Sequence, residues 1–269
     1  MSHLETPDVA EQTQQRISAF YEEVSLAQER ALILDYDGTL APFSADRLQA
    51  TPYPGIPALL DNIRKTTNSR VVLVSGRRAA EVAMLLDLGE IEVWGCHGLS
   101  RLHGDGHYEL KDIDQETARR ISEANELLRE EGLSDFLEIK PAATAIHWRG
   151  REGSAQQVAR KARRVWSMLS SREGLELSNF DGGMEIRVSG ISKGGAVRTI
   201  LAEMGRHPAI AYLGDDQTDE DAFAALRGRG LSVLVGKKAR PTLADVWIQP
   251  PAGVAAFLEG WSAACGGAS

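Results

Sequence analysis

Cysteine is almost absent from this chain, since Cys96 and Cys265 are the only two among 269 residues. Two thiols are too few to build the disulfide framework of a small secreted protein. The chain also lacks a long uninterrupted apolar run and a signal-like N-terminus, so the sequence predicts neither a membrane span nor export. We therefore expect a reduced, cytoplasmic protein.

Positive charge is in deficit as well. The chain has 30 Lys and Arg against 38 Asp and Glu, which gives a net charge of −8. Nucleic acids and anionic membranes are bound by basic surfaces, so we expect neither as a partner. Apolar residues make up 43% of the chain, which is enough for one large core or two modest ones.

What the sequence does contain is a regular alternation of short apolar strand patterns and helical patterns. The strand patterns lie at residues 32–34, 70–74, 91–94, 209–213 and 231–235. Alternation of this kind predicts an α/β fold with a doubly wound, mainly parallel, Rossmann-like sheet covered by helices on both faces. Ligands of such folds bind at the carboxyl ends of the strands.

The middle of the chain follows a different pattern. Residues 111–188 show a helix followed by two short strands, and this unit occurs twice. Each helix has one apolar stripe, which needs a sheet to cover it. We therefore predict an inserted α+β domain at 111–188 and a discontinuous core domain at 1–110 and 189–269.

Strand alternation in the inserted domain predicts one polar face on its sheet. Apolar residues that pack under the helices alternate with charged ones, so the opposite face carries charge. A mixed-charge face has two interpretations, a solvated surface or a binding surface, and both stay open at this point. The residues of this face are Glu138, Lys140, Glu185 and Arg187, joined by His147 and Arg149.

The stretch LILDYDGTL, residues 32–40, is an apolar strand pattern that ends in a polar turn at Gly38. Asp35 and Asp37 lie two residues apart, so an extended backbone would point both carboxylates to the same side. Paired carboxylates suit a hard cation, or a nucleophile beside an acid. A plain strand-end turn is the alternative, since Asp and Gly both favour turns.

Three further sites also follow a strand pattern or begin a helix: Ser75, Lys193 and the acidic run GDDQTDED at 214–221. Taken singly, they are explained as a helix cap, an exposed lysine and a charged first turn. In a doubly wound sheet, however, they would meet Asp35 and Asp37 at one edge. Carboxylates for a cation, with a hydroxyl and an ammonium for an anion, are the groups that phosphoryl transfer requires.

These segments resemble the four motifs of the haloacid dehalogenase superfamily, in the same order along the chain: DYDGTL, VSGR, a lone lysine and GDDQTDED. The resemblance implies that Asp35 attacks phosphorus and becomes an aspartyl-phosphate. It implies that Asp37 first protonates the leaving oxygen and then activates water. An aspartate at position 37 is typical of the hydrolases and mutases of the superfamily.

The same resemblance implies a Mg²⁺ cofactor. The ion would be held by Asp35, the backbone carbonyl of Asp37 and Asp215, with support from Asp216 and Asp219. The transferring phosphoryl group would be contacted by Ser75, the Gly76 N–H group and Lys193, with Arg77 beside them.

Within the superfamily, the chain resembles the trehalose-6-phosphate phosphatase family. The long stretch between Ser75 and Lys193 leaves room for a cap domain, and the segments CHGLS, LEIKPAATAIHWR and MEIRVSGISKG are similar to that family. Alanine in PAAT, Trp148 and Val188 depart from its usual residues. The resemblance implies that cap residues bind the sugar, namely Glu138, Lys140, His147, Glu185 and Arg187.

Two alternatives to this function stay open. The substrate could be another sugar phosphate, such as a sucrose, glucosylglycerate or mannosylglycerate phosphate. The chain could also be a silent sugar-phosphate sensor or an accessory subunit, although the intact Asp35, Asp37 and Lys193 favour catalysis. The resemblance further implies a trehalose-6-phosphate synthase as a partner, and we expect a monomer whose cap closes about hinges near Lys111 and Val188.

One further pattern concerns a transition metal. The residues Cys96, His97, His103 and His107 are metal-ligand types, but their spacing matches no common zinc pattern. A P-loop is also missing, since SGISKGG lacks the required glycine spacing.

Overall fold

The computed structural model describes residues 9–44, 49–148, 151–170, 174–180 and 182–266. Two sheets organise this part of the chain, one of eight strands and one of four. None of the helices in these ranges is long and apolar enough to cross a membrane.

The large sheet has the strand order β12-β11-β10-β1-β2-β3-β4-β5. Its first six strands in this order are parallel, and the last two pair antiparallel at one edge. Its strands are β1 (Arg30–Leu34), β2 (Ser69–Val74), β3 (Glu92–Gly95), β4 (Ser100–Leu102), β5 (Tyr108–Leu110), β10 (Ala209–Gly214), β11 (Leu231–Val235) and β12 (Val246–Ile248).

Helices cover both faces of this sheet. One face packs against α1 (Val9–Leu26), α2 (Ile56–Thr66), α3 (Ala79–Leu86) and α8 (Ala252–Ala264). The other packs against α6 (Lys193–Glu203) and α7 (Glu220–Leu226). The central strands are therefore mainly apolar at their buried positions, since both of their faces are covered. The predicted doubly wound α/β fold is confirmed.

Several elements of the core were not predicted. The β4–β5 hairpin and β12 contain only three residues per strand, too few to show a period in the sequence. The polar helical pattern at residues 9–30 predicts one helix over that range, but α1 ends at Leu26 and Arg30 begins β1.

The small sheet lies within residues 111–188, the range predicted for the cap. Its strands are β6 (Leu137–Lys140), β7 (Ala143–His147), β8 (Leu175–Phe180) and β9 (Gly183–Val188), in the antiparallel order β6-β7-β9-β8. Two helices, α4 (Gln115–Glu130) and α5 (Glu152–Ser170), pack on one of its faces. The other face is turned toward the carboxyl ends of the core strands.

One detail of the predicted alternation is wrong. Alternation with Glu138 and Lys140 predicts Ile139 on the apolar face beneath the helices, but half of its surface is exposed. The reason is its position on β6, which forms the edge of the sheet. Its neighbour Leu137 does pack against the apolar cluster under α4 and α5.

Candidate active site

The predicted core residues lie at neighbouring strand ends. Asp35 follows β1, Ser75 follows β2 and Asp215 follows β10, and β1 pairs in parallel with both of the other strands. Lys193 is the first residue of α6, whose N-cap is Ser192. These residues therefore lie at the carboxyl edge of the large sheet, as expected, and their contacts are described below.

Lys193 is the cation at the centre of the site. Its Nζ donates to Asp35 Oδ1 at 2.7 Å and to Asp219 Oδ1 at 2.8 Å, and all three side chains are buried. Burial alone would lower the pKa of Lys193, but the charges of Asp219 and Asp35 raise it well above its ordinary value. The lysine is thus a fixed positive charge beside the candidate nucleophile.

Asp35 is held in an environment that opposes its charge. Burial raises the pKa of Asp35 to about 8, although the charge of Lys193 acts in the opposite direction. Its second oxygen accepts a hydrogen bond from Thr39 Oγ1 at 3.3 Å. A further positive charge at this position would favour the ionised, nucleophilic form.

Asp219 organises the acidic loop. Its side chain is fully buried and accepts from Lys193, from Tyr212 OH at 2.5 Å and from the backbone N–H groups of Asp215 and Asp216 at 3.0 Å each. Four donors occupy both of its oxygens. Asp219 therefore shapes the loop, which agrees with the supporting role that the resemblance implies.

Asp215 completes an acidic group that could hold a cation. In the described ranges, one oxygen from each of Asp35, Asp215 and Asp219 lies within 4.8 Å of the others. Burial and the charges of Asp35 and Asp219 raise the pKa of Asp215 well above its ordinary value. Gly38 has φ +84°, and a Cβ there would lie 2.1 Å from Asp215 Oδ2, so only glycine leaves room for this carboxylate.

These residues fit a hard divalent cation. Mg²⁺ prefers oxygen ligands, and carboxylates that raise each other's pKa are relieved when a cation binds between them. Asp216 also lines the cavity, but its Oδ1 accepts from the N–H and hydroxyl groups of Thr218 at 2.7 Å each, so this oxygen holds the loop. The acidic cluster therefore contains two kinds of residue, those facing the site and those fixing its loop.

Asp37 and Arg77 form a bidentate ion pair. Arg77 Nε and Nη2 donate to the two Asp37 oxygens at 2.5 and 2.6 Å. The Arg77 side chain is buried and its backbone N–H donates to Ser75 Oγ at 3.1 Å. The substrate role of Arg77 stays a prediction, and in the structure its guanidinium is paired with the candidate acid Asp37.

The cap face is buried in part, which argues against its interpretation as a wholly solvated surface, although the side chains of His147 and Glu138 are 42% and 27% exposed. Glu185 is 2% exposed and Arg187 is 7% exposed, because the core covers them. Charges on this face pair across the strands: Lys140 Nζ donates to Glu185 Oε2 at 2.8 Å, and His147 Nε2 lies 2.7 Å from Glu138 Oε2. Arg149 lies outside the described residues.

A cavity of about 320 Å³ joins the two domains. Core residues line one side of it, and the cap residues predicted to bind sugar line the other. The core side includes Asp35, Asp37, Ser75, Gly76, Arg77, His97 and Lys193, and the cap side is formed by Glu138, Lys140, His147 and Glu185.

Arg187 occupies a different place from the other predicted sugar residues. Its Nε donates to Glu176 Oε1 of β8 and its Nη2 donates to Asp221 Oδ2 of α7, both at 2.7 Å. It thus links the cap to the core, at the border of a second cleft of about 920 Å³ that also reaches Asp215 and Asp216.

The hypothetical transition-metal residues are divided between two places. His97 lines the cavity, whereas His103 and His107 sit on the β4–β5 hairpin, where their Nε2 atoms lie 3.1 and 3.7 Å from Glu109 Oε1. The structure thus ties the hairpin histidines to Glu109 and gives His97 a place in the candidate site that sequence reasoning missed. Its neighbour Gly98 was the available signal, since glycine marks unusual backbone.

Solved structures share this architecture. The C-terminal domain of Candida albicans trehalose-6-phosphate phosphatase aligns with a TM-score of 0.76 at 20% identity, over 98% of this chain and 99% of that one. A haloacid dehalogenase-like hydrolase from Bacteroides thetaiotaomicron gives a TM-score of 0.66 at 18% identity, over 86% and 99%. At such identities the likeness establishes the fold. The fold is therefore that of haloacid dehalogenase-like hydrolases.

Residues 33–246 match the trehalose-phosphatase family, so the chain belongs to that family and is a phosphoric monoester hydrolase. The trehalose-6-phosphate phosphatase of Escherichia coli K12 is 28% identical over 242 residues, which cover 82% of this chain and 85% of that protein. The bifunctional trehalose-6-phosphate synthase/phosphatase of Thermoproteus tenax is 28% identical over 87% of this chain. The aligned region spans only 32% of that longer relative.

Proposed function

We propose that this enzyme hydrolyses trehalose 6-phosphate to trehalose and phosphate, with Mg²⁺ as cofactor and an aspartyl-phosphate on Asp35 as the intermediate. The observation that carries the proposal is the cavity of about 320 Å³ between core and cap. Groups that neutralise a phosphate line one side, and groups that hydrogen-bond sugar hydroxyls line the other.

The phosphoryl group is transferred to Asp35. A carboxylate oxygen of Asp35 attacks phosphorus and the bond to the sugar oxygen breaks, which leaves the phosphoryl group on Asp35. Lys193 already contacts this carboxylate at 2.7 Å, so its ammonium is in place to neutralise the phosphoryl oxygens. Ser75 and the Gly76 N–H group supply further donors from the loop after β2.

Asp37 carries the proton. It protonates the sugar oxygen as that oxygen leaves, and it then takes a proton from the water that hydrolyses the phospho-aspartate. Both of its carboxylate oxygens accept hydrogen bonds from Arg77, and the pairing raises the pKa of Arg77. Before Asp37 can donate a proton, the sugar oxygen must therefore replace Arg77 as the hydrogen-bond partner of one Asp37 oxygen. Between turnovers, Arg77 holds the Asp37 carboxylate in place.

The cation would be held by Asp35, Asp215 and the backbone carbonyl of Asp37. When bound, Mg²⁺ neutralises charge on the phosphoryl oxygens and on the attacking carboxylate. Support for this part comes from the closely spaced carboxylates and from the raised pKa of Asp215, whose largest cause is burial.

The sugar would be bound by the cap. Glu138, Lys140, His147 and Glu185 line the cavity and offer both donors and acceptors. Without substrate, Lys140 and Glu185 hydrogen-bond each other. When sugar binds, its hydroxyl groups would replace one of these charged groups as the partner of the other. Arg187 stays a predicted substrate residue, with its present ion pairs at the edge of the site.

Phosphate release from a substrate panel tests the proposal. The panel contains trehalose 6-phosphate and the sucrose, glucosylglycerate and mannosylglycerate phosphates, each with and without Mg²⁺. We expect the highest kcat/KM for trehalose 6-phosphate and a loss of at least about 1,000-fold in Asp35→Asn. Equal rates in Asp35→Asn and the parent would rule out the mechanism, and a preference for another sugar would reassign the substrate. Binding without turnover would identify a sensor.

A further inference from the structure

The segment between β3 and β4 has unusual backbone geometry. Cys96, His97 and Gly98 have φ angles of +50°, +58° and +97°, so three consecutive residues adopt the left-handed region. For a non-glycine residue this conformation costs on the order of 1 kcal/mol or more. Such backbone is concentrated at functional sites, where surrounding contacts hold it in place.

The contacts that hold this segment come from the catalytic loops. Cys96 N–H donates to the Arg77 carbonyl at 2.7 Å, and His97 N–H donates to the Ser75 carbonyl at 2.9 Å. On the other side, a Cβ at Gly98 would lie 3.0 Å from the Ser192 carbonyl, next to Lys193. The segment is therefore wedged between the loop that carries Ser75 and the start of α6.

The His97 ring is directed toward the substrate cavity. It is 8% exposed, and a Cβ at Gly76 would lie 2.7 Å from its Cε1 and Nε2 atoms, so the ring packs directly on the glycine of the phosphoryl loop. Any side chain at position 76 would displace it. The left-handed backbone is what brings the ring to this position.

His97 also faces the cap. A narrow space of about 10 Å³, roughly that of one water-sized probe, separates it from the cap sheet near Ala143. In the described part of the chain, His97, Lys140 and Glu185 line both this space and the larger cavity. His97 thus borders the same two spaces as the Lys140–Glu185 pair.

We propose that His97 is a specificity-determining residue that hydrogen-bonds a hydroxyl of the sugar bound by Lys140 and Glu185. A neutral imidazole offers one donor and one acceptor, which matches a hydroxyl group. Because the ring also packs on Gly76, it fixes the distance between the sugar and the phosphoryl site. This inference rests on the proposed sugar-phosphatase function and adds a core residue to the sugar site.

The test compares two substrates. Trehalose 6-phosphate carries the sugar, whereas p-nitrophenyl phosphate presents the same phosphoryl group without it. His97→Asn is the main variant, because asparagine tolerates the left-handed region and is too short to replace the ring. His97→Gly keeps the backbone and removes the side chain, so it serves if the first variant fails to fold.

We expect kcat/KM for trehalose 6-phosphate to fall about 10- to 100-fold in both variants, mainly through KM, as for the loss of one or two hydrogen bonds. The rate on p-nitrophenyl phosphate should stay within about threefold. His107→Asn, a histidine on the exposed hairpin, is the matched control and should leave both substrates unchanged.

The outcomes separate the inference from the proposed function. Equal losses on the two substrates would mean that His97 only supports the Gly76 loop, and would overturn the inference. An unchanged kcat/KM for trehalose 6-phosphate in the variants would also overturn it while leaving the proposed function intact. If the parent enzyme hydrolysed p-nitrophenyl phosphate but not trehalose 6-phosphate, the proposed function itself would fall, and the inference with it.

Discussion

The core and the cap both bury charged residues at the active site, but they balance those charges differently. At the core edge, Lys193 contacts Asp35 and Asp219, two of the three closely spaced carboxylates that Asp215 completes. On the cap face, Lys140 pairs with Glu185, and Arg187 pairs with Glu176. The core therefore has an excess of negative charge, whereas the cap is nearly neutral.

This difference separates two ways of building a site. Burial and the charges of neighbouring carboxylates raise the pKa values of Asp35 and Asp215. A cation bound between these groups would stabilise their charged forms. The cap residues satisfy one another across β-strands and need no ligand to stay folded. The following changes test this contrast, beginning with the one that we expect to have the largest effect.

Lys193→Met should affect both folding and catalysis. It leaves Asp35 and Asp219 buried without their cation, so we expect the free energy of unfolding to fall by about 3 kcal/mol. Phosphate release should fall at least about 100-fold, since a donor to the phosphoryl group is lost. Urea unfolding and a phosphate assay measure the two effects. Lys237→Met, at an exposed lysine, is the control, and an unchanged unfolding free energy in Lys193→Met would refute the buried-charge account.

Asp215→Asn should separate stability from function. Without Mg²⁺, removing one of the clustered charges should leave the free energy of unfolding unchanged or raise it by up to about 1 kcal/mol relative to the parent. The parent should gain about 2.7 kcal/mol when Mg²⁺ is at 100 times its Kd, and the variant should lose this gain together with activity.

Thermal unfolding with and without Mg²⁺ measures this contrast. Asp112→Asn, at an exposed aspartate, should behave as the parent does. If Asp215→Asn kept the full stabilisation by Mg²⁺, Asp215 would not be a ligand of the ion.

Glu185→Gln should change specificity and leave the fold nearly unaffected. The amide still accepts a hydrogen bond from Lys140, so the free energy of unfolding should change by less than about 1 kcal/mol. We expect kcat/KM for trehalose 6-phosphate to fall about 10- to 100-fold, with little change for p-nitrophenyl phosphate. Glu126→Gln, at an exposed site on α4, is the control. A large loss of stability would show that this pair is structural.

Asp221→Asn should have the smallest effect. It weakens the ion pair that joins Arg187 of the cap to α7 of the core, and such partly exposed pairs contribute about 0.5–1 kcal/mol. KM should therefore rise about two- to fivefold, and salt should reduce the difference from the parent.

Solution scattering with a phosphate analogue would measure closure about the predicted hinges. Identical core-to-cap distances with and without the analogue would argue against cap motion.

Much of the core site could be predicted because its signals are local. Asp35, Ser75 and Asp215 each follow an apolar strand, and parallel strands share one carboxyl edge whatever the details of packing. The cap's polar face was predictable from alternation in β6 and β9 for the same reason. The exposure of Ile139 could not be predicted, because the strand order of the sheet decides whether β6 lies at its edge or at its centre.

The roles of individual residues were harder to predict. Asp219 was indistinguishable from its acidic neighbours in the run at 214–221, yet its four hydrogen bonds fix the loop. The pairing of Arg77 with Asp37 joins two loops that are 40 residues apart. His97 offered no periodic signal, because its position results from backbone geometry.

By itself, the sequence determined the α/β class of the fold, and it predicted the inserted cap and the chemical groups proposed for phosphoryl transfer. Apolar periodicity and the residues at strand ends are local features, so they can be recognised in a single sequence. Only the tertiary structure decided which charges are buried, which partner each one has, and that His97 lies between the phosphoryl loop and the sugar-facing pair. These depend on contacts between residues that are distant in sequence, and burial converts such contacts into strong interactions.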